Sequence, residues 1–196
     1  MVNQKAKKFA IVGMSMVMVG LSMLSATPVQ AASLSADVVF NDTVYGSGDL
    51  LAGAGLGTTL DNTNFTTLIN PVSDPDYANI NTPTVMDITI KAVADAGLTD
   101  YLVYNWDLNP FEGDPGTYVS EFCELATKTV EYKPSPTPND GNSVWTGDSW
   151  MLYIDYNGDG TITDDELATK YASNIKLSEV SGKKIEWRYV RTTEKW

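Results

Sequence analysis

The chain of 196 residues contains no histidine and only one cysteine, Cys123. Without an imidazole there is no Ser-His-Asp or Cys-His nucleophile system and no histidine-ligated zinc. A single cysteine rules out an internal disulfide. Cys123 sits in the apolar stretch "YVSEFCEL" and reads as a small packing hydrophobe. Basic residues are also scarce, 13 Lys and Arg against 25 Asp and Glu, for a net charge of −12. Such a surface repels phosphate backbones and anionic membranes, so nucleic acid is not an expected partner, whereas divalent cations are favoured. Paired carboxylates can hydrolyse glycosides, but nothing in the chain singles out such a pair. The expectation is a protein that is not an enzyme.

Long apolar runs are missing as well, with one exception at residues 9–24. That run falls short of the ~20 residues needed to cross a bilayer. Lys5, Lys7 and Lys8 precede it, and "SATPVQAA" follows, with Val29 and Ala31 spaced as before a signal-peptidase cut. Residues 1–31 are therefore expected to be a cleaved secretory signal, and residues 32–196 a single domain, secreted or at the cell surface. Removing three lysines and no acid takes the net charge from −12 to −15.

Between residues 36 and 45 the β-branched and aromatic residues predict a strand. Gly53, Gly55 and Gly57 do not have the spacing of a nucleotide-binding loop and predict a flexible turn. Residues 61–83 read as a loop. A helix is predicted from Thr84, with Asp87 as its capping-box partner, Met86, Ile90 and Val93 at helical spacing and Gly97 as a stop. "YLVYNW", "TYVSEFCEL" and "SWMLYI" predict strands, and "DDELATKYA" a short helix. "KKIEWRYVRTT" alternates Ile185, Trp187 and Tyr189 against Glu186 and Arg188, as a half-buried strand does.

The densest chemistry lies in "DYNGDGTITDDE", residues 155–166, which matches the twelve-residue calcium loop D-x-[DN]-x-[DN]-G-x5-E at every position. Ca2+ takes six to eight oxygen ligands, and such a loop supplies them from alternate residues. Asp155, Asn157 and Asp159 occupy positions one, three and five. Gly160 permits the sharp turn at six, and Thr161 offers its carbonyl at seven. Ile162 points inward at eight, Thr163 serves at nine directly or through water, and Glu166 clamps the ion at twelve. The competing reading is a pair of Gly-containing turns with solvated acids. Mg2+ suits the loop less, because it prefers fewer protein ligands. A strand precedes the loop and no second loop exists, so the expectation is a structural clamp and not a paired sensor. A third reading takes the loop as half of a dockerin, which uses two such loops.

Four stretches in order, "TVMDITIKAVADAG", "TYVSEFCEL", "SWMLYIDYNG" and "ASNIKLSEVSGKKIEWRYV", resemble the transcobalamin-like C-terminal domain of exported bacterial proteins. The likeness spans roughly residues 82–191. It departs from the family at Gly182-Lys183, where Gly-Asp is usual, and in the inserted acidic loop. The resemblance implies an α+β, β-grasp-like fold, a small mixed sheet packed on one main helix. It also implies a binding role, with cobalamin or another small molecule as ligand. Trp150, Tyr153 and Trp187 match family aromatics and are the implied ligand-binding residues, with core packing as the other reading. The second functional expectation is a structural or adhesive surface protein that uses the domain for protein contacts.

Overall fold

Two facing sheets dominate the computed structural model, which describes residues 33–51, 58–61, 68, 82–107, 115–137 and 141–195. The expected signal segment, the glycine turn at 53–57 and nearly all of the 61–83 loop lie outside the described residues. The strands are β1 (Ser33–Asp42), β2 (Gly48–Leu51), β3 (Thr58–Asp61), β4 (Leu102–Asp107), β5 (Gly116–Phe122), β6 (Leu125–Ala126), β7 (Lys128–Lys133), β8 (Val144–Ile154) and β9 (Lys184–Lys195). Helices α1 (Val85–Asp95) and α2 (Leu177–Val180), with three short 3-10 turns, complete the regular elements among the described residues. The main sheet runs β2-β1-β9-β8-β7, with β3 also paired to β1, and the smaller sheet runs β4-β5-β6. β1 is parallel to β9, and the other strand pairs are antiparallel.

The expected α+β, β-grasp-like fold is therefore corrected to a mostly β one. Two features overturn the expectation. First, the inner face of the main sheet is not left to one helix. β5 packs on β8, and Phe122 of the smaller sheet brings its ring to 4.0 Å from Phe40 and 6.1 Å from Trp150. Helix α1 lies against β1 and β3. Second, "DDELATKYA" is not a helix. Its start forms one 3-10 turn, Asp164–Glu166, capped by Thr163. Leu167 then leaves helical geometry (φ −58°, ψ 126°) and bridges back to Tyr153, while the Ala168 N–H donates to the Leu152 carbonyl at 2.8 Å. Pairing with β8 gives these backbone groups partners that a short isolated helix would hold only marginally.

Helix α1 begins where its sequence predicts. The Thr84 N–H donates to Asp87 Oδ2 at 3.0 Å, and the Asp87 N–H reaches Thr84 Oγ1 at 3.4 Å. Gly97, at φ +73°, follows its end in a conformation that favours glycine. Strand β9 shows the expected alternation. Trp150 faces Tyr189, Leu152 faces Trp187, and Ile154 faces Ile185 across the β8–β9 pair, while Phe40 of β1 lies beside Trp187. These side chains form the inner core. The opposite face carries Tyr153 beside Glu186 and Met151 beside Arg188.

Candidate metal centre

Strand β8 ends at fully buried Ile154, and the chain turns out of the sheet at Asp155, itself 3 % exposed. The Asp155 N–H still donates to the Lys184 carbonyl at 3.0 Å, so the first residue of the acidic loop is fixed by the last pairing of β8 with β9. The loop then wraps around the Asp155 carboxylate. Oδ1 accepts from the N–H groups of Gly158 (2.7 Å) and Asp159 (3.1 Å), and Oδ2 accepts from Gly160 (2.8 Å). Asn157 Oδ1 accepts from the Asp159 N–H at 2.8 Å, and Asp159 Oδ1 from the Thr161 N–H at 2.7 Å. Gly160 takes φ +84°, the left-handed conformation that a side chain would strain.

The second half of the loop is set by Ile162 and Glu166. Ile162 is buried, while Thr161 and Thr163 on either side are exposed. Glu166 is 8 % exposed. Its Oε2 accepts from the Thr163 N–H at 3.0 Å and from Thr163 Oγ1 at 3.3 Å. Its Oε1 is the one buried side-chain polar atom without a hydrogen-bond partner among the described residues. A buried carboxylate oxygen left unpaired carries a large desolvation cost, unless a cation or water satisfies it.

The donors are hard oxygens throughout. A carboxylate has about four acceptor positions. Asp155 directs three of its own to backbone amides and keeps one, whereas Asp159 is engaged only through Oδ1. Among the described residues, no three acidic or thiol side chains are grouped closely enough to hold a metal ion by themselves. The loop's oxygen donors are of the kind Ca2+ takes, but the fold does not bring Asp155, Asp159 and Glu166 together as a three-acid cluster. Asp155 and Glu166 are both buried at the loop ends, and Asn157, Asp159, Thr161 and Thr163 lie on its exposed rim.

Two cationic residues of the β9 region hold this loop, and the sequence alone did not connect either of them to it. Lys183 Nζ donates to the Tyr156 carbonyl. Arg188 donates from Nη2 to the Ile162 carbonyl (2.8 Å) and from Nη1 to Asp164 Oδ1 (2.8 Å). It also pairs with Glu186, Nε to Oε1 at 2.9 Å, and this bond holds its guanidinium firmly protonated. Strand alternation placed Arg188 and Glu186 on the outer face, but gave no sign that the loop folds back over them. The outer face is also indented by a cleft of about 730 Å3, whose lining includes Asn41, Tyr153, Asp164, Glu186, Arg188 and Arg191.

The three aromatics matched to the family are dispersed. Trp150 is 4 % exposed, packs against Phe40 and Tyr189 and donates its indole N–H to the Leu125 carbonyl at 2.7 Å. Trp187 is 2 % exposed and donates to Thr89 Oγ1 at 3.1 Å. Both lie in the inner core. Tyr153 is on the opposite face, under the Arg188 guanidinium at 4.3 Å, and burial pushes its phenol up from the usual value. The fold therefore does not bring these three residues onto one ligand-facing surface.

Comparison with family models, with characterised proteins and with solved structures gives no match to this chain. The transcobalamin-like resemblance rests on the quoted residues alone. No described helix is long and apolar enough to cross a membrane.

Proposed function

We propose that the chain is a secreted, non-enzymatic binding module whose 155–166 loop is a structural Ca2+ site. The observation that carries this reading is Glu166 Oε1, a buried and unpartnered carboxylate oxygen at position twelve of a loop already wound around position one. The acidic chain adds a favourable long-range field for a dication. Extracellular modules of this kind bind Ca2+ with Kd of about 10⁻⁴–10⁻³ M, which millimolar Ca2+ fills. Binding only to the folded state raises stability by mass action, about 1–2 kcal/mol at roughly five to fifty times Kd, the range that 5 mM Ca2+ spans. For a domain of this size that is a rise in Tm of about 2–8 °C. Calorimetric unfolding in 5 mM CaCl2 and in excess chelator tests the reading. The same Tm in both, with no heat on direct Ca2+ titration, sinks it.

A small-molecule ligand, cobalamin included, would use the polar outer-face cleft, because Trp150 and Trp187 offer no surface. Absorbance titration with corrinoids tests this: no spectral shift at tens of micromolar removes cobalamin. The adhesive reading draws on strand β7, which ends the main sheet among the described residues and is exposed at all six positions, with Val130 45 % and Tyr132 55 % exposed. Such an edge accepts a further strand from a protein partner.

A further inference from the structure

The acidic loop is not left to fold around an ion unaided, because one guanidinium ties it to the sheet. Arg188 stands on the outer face of β9 with its side chain only 13 % exposed. Its base is anchored to the sheet. Nε pairs with Glu186 Oε1, Nη2 also reaches Glu186 Oε2 at 3.1 Å, and the fork lies over the Tyr153 ring. Glu186 is 5 % exposed and receives a further bond from Asn41 Nδ2 of β1 at 3.1 Å. The remaining N–H groups of the fork reach the loop at its eighth and tenth positions, the Ile162 carbonyl and the Asp164 carboxylate.

The contact at Ile162 matters most. The Ile162 carbonyl and the Thr163 N–H belong to one peptide group. Arg188 donates to the carbonyl, and the N–H of the same group donates to Glu166 Oε2. A cation on the oxygen of a peptide polarises its N–H into a stronger donor. That relay holds one oxygen of Glu166, and the other, Oε1, is the atom left without a partner. The guanidinium does not simply repel a dication, because Glu186 and Asp164 together outweigh its charge.

We propose that Arg188 is the positioning residue of the metal loop: through the Ile162–Thr163 peptide it presets Glu166 for Ca2+ before the ion arrives. The proposal rests on the metal reading above. It predicts that the loss of Arg188 weakens metal binding and not stability alone. Outer-shell partners of this kind are typically worth 10–100-fold in metal affinity.

The test is calorimetric CaCl2 titration of the chelator-stripped full chain, well below its Tm, for the wild type, Arg188→Gln, Arg188→Lys and Asp164→Asn. The metal-free Tm of each is measured alongside. Arg188→Gln is expected to raise Kd about tenfold or more. Arg188→Lys should fall between, because one ammonium cannot reproduce a planar fork that reaches Glu186, Ile162 and Asp164 together. Asp164→Asn should stay within about twofold of wild type, since that side chain is 97 % exposed and the Ile162 contact remains. Amide exchange at Thr163 should quicken in the metal-free Arg188→Gln variant. If Arg188→Gln does not fold, Arg188→Lys carries the comparison. Variants with lower metal-free Tm but unchanged Kd would overturn this inference and leave the Ca2+ site standing. A wild type that takes up no Ca2+ overturns both.

Discussion

Glu166 concentrates the chemistry of the loop in one side chain. Its Oε2 caps the 3-10 turn through Thr163, while its Oε1 is buried without a partner. Glu166→Gln keeps an acceptor for the Thr163 N–H and removes the charge. We expect this variant to lose the Ca2+-dependent rise in Tm, while its metal-free stability stays within about 1 kcal/mol of wild type. Thermal unfolding with and without CaCl2 checks both halves. Gly160→Ala separates geometry from charge. Beyond the glycine and its two chain neighbours nothing lies within 4 Å of the added Cβ, so its cost comes from the backbone at φ +84°, about 1–2 kcal/mol. Urea unfolding in chelator should read that loss without any contribution from the metal.

At the scale of elements, the β7–β8–β9 region carries a buried acid that links stability to pH. Asp148 of β8 is fully buried and accepts from Arg191 Nε (2.6 Å) and Nη2 (2.9 Å) of β9, with Lys128 of β7 at 3.7 Å. Hydrogen bonds from Arg191, against the opposing effect of burial, hold its carboxyl below the usual carboxylate range. A depressed folded pKa gives stability that is fully present above the unfolded value, ~3.9, and is lost as pH falls through the folded one. Asp148→Asn should therefore be destabilising at neutral pH and lose much of that penalty in strong acid. Urea unfolding in chelator between pH 2 and 7 measures it, and equal penalties at both ends would contradict the assignment. Helix α1 gives a second test at this scale. Thr84→Ala removes a cap and leaves the fully buried Asp87 with fewer partners, for an expected loss of about 1–2 kcal/mol.

For the molecule as a whole, the core and the metal loop are separable. The inner core of Phe40, Phe122, Trp150, Trp187 and Tyr189 contains no loop residue. Chelation should lower Tm yet leave far-UV circular dichroism and cooperative unfolding intact. Collapse of the β signal on chelation would mean that the metal organises the fold and is not a clamp at its edge. Trp187→Ala, in contrast, should cost about 3–5 kcal/mol with or without Ca2+, because it empties the centre of the core and takes the indole donor away from Thr89 Oγ1, which keeps only its bond to the Val85 carbonyl.

What the amino-acid order determined by itself was local. The capping box at Thr84 and Asp87, the two-residue alternation of Ile185, Trp187 and Tyr189, and the oxygen spacing of residues 155–166 depend on neighbours a few positions apart, and each is legible without the fold. Tertiary structure decided everything that joins distant positions. It set β1 in parallel beside β9 and covered the inner face of the main sheet with a second sheet. It turned Trp150 and Trp187 inward, and it brought Arg188 under a loop more than twenty residues earlier in the chain. Periodicity tells which face of a strand is apolar, but not what packs on that face. That choice depends on which distant surfaces, once paired, bury the most apolar area while leaving the fewest polar groups unmatched.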